Sequence, residues 1–300
     1  MTHPVAAIDL GTNTARLLIA TLHPYQQLLL KRTITRLGGG FSRESGLSCE
    51  AMERSLAALT DFAEEISRHG VTRVRAVATS AVRDAVNGKL FCQRVSEKTG
   101  IELEIIDGTE EAVLTLAGVE SVLDDSDGDQ VVFDIGGGST EYTLARDAAL
   151  LFSRSLPIGV VRLTEGKAGA SEMADKIGRE LTILKGELEK EGFFDRFAAA
   201  TLIGTAGTAT TLAAIQMTMG DYDYRRVNNL TLARRDVERI YAQLLPLSAK
   251  ERLGVVGLEP GREDLIIAGT LVVLQSMQIF GFQSLKVSDS GLLEGLILGV

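Results

Sequence analysis

A short segment built around one aspartate occurs twice in this chain of 300 residues. The first copy is IDLGTNT at residues 8–14, and the second is FDIGGGST at residues 133–140. With Asp9 aligned on Asp134, the copies are 134 − 9 = 125 residues apart. In each copy an apolar run leads into an acidic residue, a turn of small and polar residues, and a second strand-like run. The repeat therefore predicts two β-hairpins of the same construction, one in each half of the chain.

The length of the chain and the spacing of the repeat both indicate two domains. A single core rarely organises 300 residues, and hydrophobic residues make up 45% of the chain, enough for two cores. We expect a first domain over residues 1–125 and a second over 126–300, with a last helix at about 290–300 that is a candidate for packing on the first domain. Each half shows a βββαβα-like alternation, which predicts an α/β fold of mixed sheets with helices and a ligand site in an interdomain cleft.

Three helix predictions follow from the apolar patterns and their caps. The segment from Thr79 to about Lys98 is expected to form one helix, and Leu232–Leu244 another. The most apolar stretch, Leu265–Phe282, is close to the length of a membrane span, but it contains two glutamines, a serine and two glycines. We therefore expect a buried helix of the second domain there.

The two turns have the composition of phosphate-binding loops. Glycines let the backbone approach a ligand closely, and successive N–H groups in such a turn form a nest that binds anions. A carboxylate beside the nest would repel a phosphate, so the aspartates indicate a divalent cation shared with it. A third Gly/Thr-rich turn follows a predicted strand at residues 201–204. The expected phosphate-binding residues of the three turns are Gly11, Thr12, Asn13, Thr14, Gly136, Gly137, Gly138, Ser139, Thr140, Gly207 and Thr208.

The charge of the chain restricts its partners. A formal net charge of −9 argues against general binding to nucleic acids or anionic membranes, because both require a basic surface. A highly phosphorylated ligand would therefore need a local group of cations or metal ions. Basic residues that could supply such a group lie in the first half of the chain, namely Lys31, Arg32, Arg36, Arg43, Arg73, Arg75 and Arg83.

Cysteine and histidine usage excludes several kinds of site. Cys49 and Cys92 lack CxxC spacing, so neither a disulfide framework nor a zinc site is expected, and a reducing cytoplasmic location is. The three histidines lie away from the Gly-rich turns, which argues against a histidine-based triad. The start of the chain has no basic segment followed by an apolar one, so no signal peptide is expected. Chemistry in this chain would depend on carboxylates, cations and backbone groups.

Five segments, taken in chain order, carry a resemblance to a known family. They are AIDLGTNT at 7–14, ATSAVRDA at 78–85, GTEEA at 108–112, DIGGGSTE at 134–141 and GTAGT at 204–208. The chain resembles the exopolyphosphatases and guanosine-pentaphosphate phosphohydrolases, within the superfamily of actin, sugar kinases and heat-shock chaperones, over essentially its whole length. The first hairpin specifies only the superfamily, whereas the third and fourth segments together are specific to the family. The resemblance implies a two-domain actin-like (ribonuclease H-like) fold.

The resemblance also implies roles for individual residues. Glu111 matches the catalytic glutamate that orients or deprotonates the attacking water, and Arg83 matches an arginine of the active site. Asp134 and Glu141 match the carboxylates that hold Mg²⁺, with Mn²⁺ as an alternative, and we include Asp9 of the first hairpin among the expected metal ligands. These roles suit phosphoryl transfer, which needs a positioned water and neutralised phosphate oxygens.

Each of these residues also has a purely structural interpretation. Glu110 and Glu111 could be first-turn carboxylates favoured by the helix dipole, and Asp134 could cap its hairpin. Glu141 could point outward from a strand, and Arg83 could be a surface residue at a helix start. Gly207 and Thr208 could serve only close packing between a helix and a strand.

The function expected from the resemblance is metal-dependent hydrolysis of the terminal phosphate of inorganic polyphosphate. Hydrolysis of guanosine pentaphosphate is the nearest alternative, and a kinase of the same superfamily or a non-catalytic sensor of polyphosphate or alarmone are the others. Many family members carry additional helical domains that bind long polyphosphate and form a dimer. Such domains are not expected here, so a preference for long chains does not follow, and a homodimer stays among the alternatives.

Overall fold

The computed structural model describes residues 3–42, 44–125, 127–167 and 169–299. Arg43, one of the predicted basic residues, lies outside these ranges, as do the limits 126 and 300 of the predicted second domain. The chain forms two compact units. Unit 1 takes the chain up to Gly118 together with the segment from Leu292 onward, and unit 2 takes Val119–Gly291. Each unit is a mixed sheet with helices, as the sequence predicts.

Unit 1 is built on a sheet that has five strands among the described residues, in the order β3-β2-β1-β4-β5. The first three strands form an antiparallel meander, and the last two run parallel to the first. The strands are β1 (Val5–Leu10), β2 (Thr14–Leu22), β3 (Tyr25–Ile34), β4 (Arg73–Ala78) and β5 (Leu103–Ile105). The helices that accompany them are α1 (Cys49–Arg68), α2 (Ser80–Arg83), α3 (Gly88–Thr99) and α4 (Gly108–Glu120).

Alternating side chains of β1 and β2 enter two separate cores, one on each face of the sheet. On one face, Ile8 and Leu17 pack with Leu56 and Phe62 of α1. This helix begins where the side chain of Ser48 accepts a hydrogen bond from the Ala51 amide. On the other face, β1 and β2 pack with the last helix of the chain, α13 (Leu292–Leu298), which therefore belongs to the core of unit 1.

The helix predicted over 79–98 is wrong, because the chain breaks into α2 and α3. The amide side chain of Asn87 accepts a hydrogen bond from the Leu47 backbone N–H and donates one to the Leu47 carbonyl, both at 2.9 Å. Gly88 then passes so close to α2 that a Cβ there would lie 2.0 Å from the Val82 carbonyl oxygen. A continuous helix cannot make this turn, so long-range contacts override the local pattern.

Unit 2 is built on a sheet with six strands among the described residues, in the order β10-β11-β9-β6-β7-β8. It repeats the antiparallel meander followed by parallel strands. The strands are β6 (Asp129–Ile135), β7 (Thr140–Arg146), β8 (Ala149–Leu156), β9 (Thr201–Thr205), β10 (Thr231–Ala233) and β11 (Ser284–Val287). The helices are α5 (Val160–Gly166), α6 (Ala170–Glu191), α7 (Phe194–Ala199), α8 (Ala206–Gln216), α9 (Tyr224–Val227), α10 (Arg234–Leu244), α11 (Ala249–Arg252) and α12 (Ile266–Phe280).

Two long helices supply much of the core of unit 2. Along α6 the residues Met173, Ile177, Leu181, Leu184 and Leu188 recur every three or four positions and are buried. The apolar stretch predicted to form a buried helix is α12, which packs against α6 and lies within this core. Within the described residues, no helix combines the length and the apolar character that crossing a membrane requires.

The helix predicted over 232–244 begins two residues later than expected. Thr231–Ala233 form β10, whose Leu232 pairs with Leu285 of β11. The helix α10 starts at Arg234, where the Asp236 carboxylate accepts a hydrogen bond from the Ala233 amide. Pairing with β11 therefore places Leu232 and Ala233 in a strand, although the apolar spacing of residues 232–244 favours a helix.

The packing of α13 gives a test of unit 1. A Cβ at Gly295 would lie 1.8 Å from the backbone oxygen of Leu114 in α4, so Gly295→Ala must separate the two helices. We expect Gly295→Ala to lower the free energy of unfolding by ~1–3 kcal/mol, which circular dichroism would show as a lower thermal unfolding midpoint. The control is Gly186→Ala on α6, where nothing lies within 4 Å of the added Cβ and a gain of ~0.5–1 kcal/mol is expected. An unchanged midpoint for Gly295→Ala would contradict this packing.

Candidate active site

The first turn, residues 11–13, connects β1 to β2 and is held by a neighbouring loop. Its ends are joined by a hydrogen bond from the Gly11 amide to the Thr14 carbonyl. The carbonyls of Thr12 and Asn13 accept hydrogen bonds from amides of residues 35–38 at 2.8–3.0 Å. In the described part of the chain, the amides of Thr12 and Asn13 make no backbone hydrogen bond. Amides in such a turn are the donors that a phosphate nest requires.

Two buried oxygen atoms at this turn have no hydrogen-bond partner among the described residues. They are Oδ1 of Asp9 and Oδ1 of Asn13, whose residues are 5% and 7% exposed. The other carboxylate oxygen of Asp9 accepts hydrogen bonds from Nε and Nη2 of Arg16 at 2.9 and 2.6 Å. Because an unsatisfied buried acceptor is costly, these atoms indicate a place for water, a cation or a donor group of a ligand.

The second turn, residues 136–139, has the same construction in unit 2. It rests on the start of α5, where the amides of Val160 and Val161 donate to the carbonyls of Gly136 and Gly137 at 2.9 Å. A Cβ at Gly159 would lie 2.3 Å from the carbonyl carbon of Gly138, so this contact requires glycine. Behind the turn, the buried hydroxyl of Thr140 donates to the Ile158 carbonyl. These contacts hold the turn against the start of α5.

The residue directly opposite the aspartate differs in charge between the two hairpins. In unit 1 the partner of Asp9 on the adjacent strand is Arg16, and in unit 2 the partner of Asp134 is Glu141. Paired positions in antiparallel strands have Cα atoms about 4.5–5.5 Å apart and side chains on the same face. An aspartate neutralised by arginine suits an anion site, whereas two carboxylates side by side suit a cation.

Contacts on both faces of β7 hold Glu141 opposite Asp134. Glu141 is 3% exposed, and Oε1 of its carboxylate accepts a hydrogen bond from the Ser155 hydroxyl at 2.7 Å. The next residue, Tyr142, stacks on Phe133 and shares a hydrogen bond with the Ser276 hydroxyl. Burial raises the pKa of Tyr142 well above its ordinary value, so its phenol remains neutral in the core.

These carboxylates have the donor chemistry that Mg²⁺ prefers. No cluster of three or more His, Cys, Asp or Glu side chains suited to a metal is found in the described ranges. A pair of carboxylates still fits Mg²⁺, because this ion is usually bound by one or two carboxylates together with water and substrate phosphates. The metal roles of Asp134, Glu141 and Asp9 remain predictions.

Glu111 lies in the first turn of α4 and is held by Arg83. The start of α4 is capped by the Asp107 carboxylate, which accepts hydrogen bonds from the amides of Thr109 and Glu110. Nη1 of Arg83 donates to Oε2 of Glu111 at 3.2 Å and to the Ile106 carbonyl at 3.0 Å. Glu111 is 7% exposed, which is unusual for a carboxylate that only serves a helix dipole.

Glu110, the neighbour of Glu111 in sequence, lies in a different environment. Its side chain is 39% exposed and forms an ion pair with Arg75 at 2.8 Å. The interpretation as a first-turn surface carboxylate therefore fits Glu110, and the buried neighbour Glu111 is the stronger candidate for chemistry.

The topology of unit 1 brings its predicted residues to one edge of the sheet. In the register of the parallel strands, Leu10 pairs with Ala78, and Ala78 pairs with Ile105. The first turn, the Thr79–Arg83 segment and the Ile106–Glu111 segment follow these three residues. The hydroxyls of Thr12 and Ser80 are 3.0 Å apart, which joins the first two segments directly. Ligands of open α/β sheets bind at the carboxyl ends of the strands, and the candidate residues of unit 1 lie there.

Unit 2 gathers its residues in the same way. Asp134 pairs with Thr205, the last residue of β9, and the third turn begins directly after it. The predicted site residues are thus in two groups, one in each unit. The expectation of a cleft between the units stays a prediction.

The third turn shows a residue that sequence reasoning missed. Gly207 lies under the guanidinium of Arg262, such that a Cβ at Gly207 would be 1.8 Å from Nη1. Arg262 is oriented by Glu259, whose carboxylate accepts a hydrogen bond from Nε at 2.6 Å. Thr208 is buried against Gly269 of α12, and the phosphate-binding roles of Gly207 and Thr208 remain predictions. The signal in the sequence was Gly207 itself, since a helix-start glycine often makes room for a neighbouring group.

Known proteins resemble this chain over nearly its whole length. Residues 19–300 match the model of the Ppx/GppA phosphatase family. Exopolyphosphatase 2 of Mycobacterium tuberculosis is 34% identical over 99% of this chain and 98% of its own length. A crystal structure of an exopolyphosphatase from Cytophaga hutchinsonii aligns with a TM-score of 0.89 at 27% identity, over 98% of this chain and 96% of that one.

A further solved structure, a Ppx/GppA enzyme of Aquifex aeolicus, aligns with a TM-score of 0.80 at 31% identity, over 99% of both chains. These likenesses extend along nearly the whole chain and include both units. They confirm the predicted α/β fold of mixed sheets with helices and the family resemblance found in the motifs. The chain belongs to the Ppx/GppA phosphatase family.

Proposed function

We propose that this protein is an exopolyphosphatase, which uses water and a divalent cation to release the terminal phosphate of inorganic polyphosphate. The observation that carries the proposal is the buried Glu111, held by Arg83 at the same sheet edge as the first phosphate turn. A buried carboxylate at the sheet edge that also carries an anion nest suits the activation of a water. The similar proteins that are named exopolyphosphatases support the choice of substrate.

In the proposed reaction, the oxygen of a water attacks the terminal phosphorus and the bridging P–O bond breaks. The products are inorganic phosphate and a polyphosphate shorter by one unit. Glu111 orients the water and accepts its proton, and Arg83 fixes the Glu111 carboxylate. Amides of the turns at 11–14 and 136–140 bind phosphate oxygens, which stabilises the charge of the transition state. Asp134 and Glu141 would hold Mg²⁺ or Mn²⁺, which neutralises phosphate charge when bound.

Guanosine pentaphosphate is the second candidate substrate, because its terminal phosphate is also joined by an anhydride bond. The family name covers both activities. Release of phosphate from short polyphosphate, long polyphosphate and guanosine pentaphosphate, measured side by side, distinguishes them. Transfer of phosphate from ATP to an acceptor would instead indicate a kinase, and binding without release would indicate a sensor.

We also propose a cytoplasmic location, which the two free cysteines support. A homodimer is an open alternative, and light scattering after size exclusion measures the oligomeric state.

Glu111→Gln should reduce phosphate release by at least ~100-fold while substrate binding is retained, because the amide keeps the shape but cannot accept the proton. Glu110→Gln is the matched control, since it changes the adjacent, exposed carboxylate. Initial rates of phosphate release and binding of polyphosphate by calorimetry give the two readouts. Near-normal turnover of Glu111→Gln would contradict the proposed role of Glu111 in activating the water.

Asp134→Asn should raise the Mg²⁺ concentration needed for half-maximal activity by ~10-fold or more, because it removes one of two adjacent carboxylates. Asp129→Asn on the same strand is the control, since that carboxylate pairs with Arg196 at the opposite end of β6. Equal Mg²⁺ titrations for Asp134→Asn and the unaltered protein would count against the metal role.

A further inference from the structure

A row of four paired residues crosses the sheet of unit 2 at the second turn. Thr205 of β9 pairs with Asp134 of β6, Asp134 with Glu141 of β7, and Glu141 with Ser155 of β8. Directly paired residues of neighbouring strands project to the same face of a sheet. Glu141 therefore has a carboxylate on one side of it in the row and a serine on the other.

The contact between Ser155 and Glu141 is unusual for its position. Ser155 is exposed and lies on the edge strand β8, where a hydroxyl ordinarily binds water. Here it donates instead to Oε1 of a carboxylate that is almost entirely buried, at 2.7 Å. A hydrogen bond to a charged acceptor of this length is among the stronger kinds in proteins.

We infer that Ser155 is a positioning residue for the cation site proposed for Asp134 and Glu141, on which this inference rests. The register places the Ser155 hydroxyl on the β8 side of the Glu141 carboxylate. Its hydrogen bond holds Oε1 on that side of β7, which is the side away from Asp134. Two like charges directly opposite each other are destabilising, so the pair benefits both from a shared cation and from a donor on its outer side.

Ser155 thereby fixes the orientation of a metal ligand and is not a metal ligand itself. Loss of such a positioning residue typically lowers metal affinity by ~10–100-fold. It leaves the steps after metal binding unchanged, because Ser155 does not touch the reacting atoms. The expected signature is therefore a change in metal dependence without a matching change in the rate at saturating metal.

The variant Ser155→Ala removes the hydroxyl, whereas Ser155→Thr retains a hydroxyl at this position. Ser153→Ala is the matched control, because Ser153 is on the same strand and pairs with Thr143, two positions along β7 from Glu141. Binding of Mn²⁺ alone, without substrate, is measured from the loss of the free-ion electron paramagnetic resonance signal. Activity is then titrated with Mg²⁺ on polyphosphate for each variant, and Glu141→Gln is carried through the binding measurement.

We expect Ser155→Ala to weaken Mn²⁺ binding by ~10–100-fold and to raise the half-saturating Mg²⁺ concentration to match, with kcat at saturating Mg²⁺ within about threefold of the unaltered protein. Ser155→Thr should recover most of the affinity, and Ser153→Ala should not differ from the unaltered protein. If Glu141→Gln weakens Mn²⁺ binding and Ser155→Ala does not, the inference is overturned and the proposed metal site stands. If neither variant weakens it, the metal role of Glu141 and the inference both fail.

Discussion

The pairing of the two strands in each hairpin is the constraint on which the rest of the candidate site depends. The same backbone construction places an aspartate at the end of the first strand and one side chain directly opposite it on the second. In unit 1 that side chain is the arginine Arg16, which neutralises Asp9, and in unit 2 it is the carboxylate Glu141 beside Asp134. One fold element, used twice, thus provides an environment for an anion and an environment for a cation.

Close backbone contacts hold these hairpins in place. Gly38 donates to the Thr12 carbonyl, and Gly159 lies against Gly137 and Gly138. A side chain at Gly38 or at Gly159 would displace the turn that the glycine contacts. A Cβ at Gly38, for example, would lie 2.3 Å from the Thr12 methyl group. Pre-organised amide donors cost little to reorganise when a phosphate binds, which is the physical basis of stabilising a transition state.

Much of this arrangement could be predicted from residues that are neighbours in sequence. The two hairpins, the mixed α/β organisation of each half and the buried helix α12 follow from alternation, turns of small residues and an apolar run, all of which act over short stretches of sequence. The break between α2 and α3 could not be predicted, because it depends on Asn87 bonding to Leu47, which is 40 residues away. The strand β10 was missed for the same reason, since its pairing partner β11 lies about fifty residues further along the chain.

The sequence alone determined the family and the repeated hairpin and supplied the candidate site residues, because motif spacing and residue type are local properties. Residue type alone does not separate Glu110 from Glu111; the family resemblance points to Glu111, and the environments of the two differ only after α4 packs and Arg83 reaches Ile106 and Glu111. The sequence also showed no sign of Arg262 lying over Gly207 or of Ser155 holding Glu141, since each contact joins residues that only the folded sheet brings together. The sequence specifies which side chains are available. Strand register and packing between distant elements decide which of them contact one another.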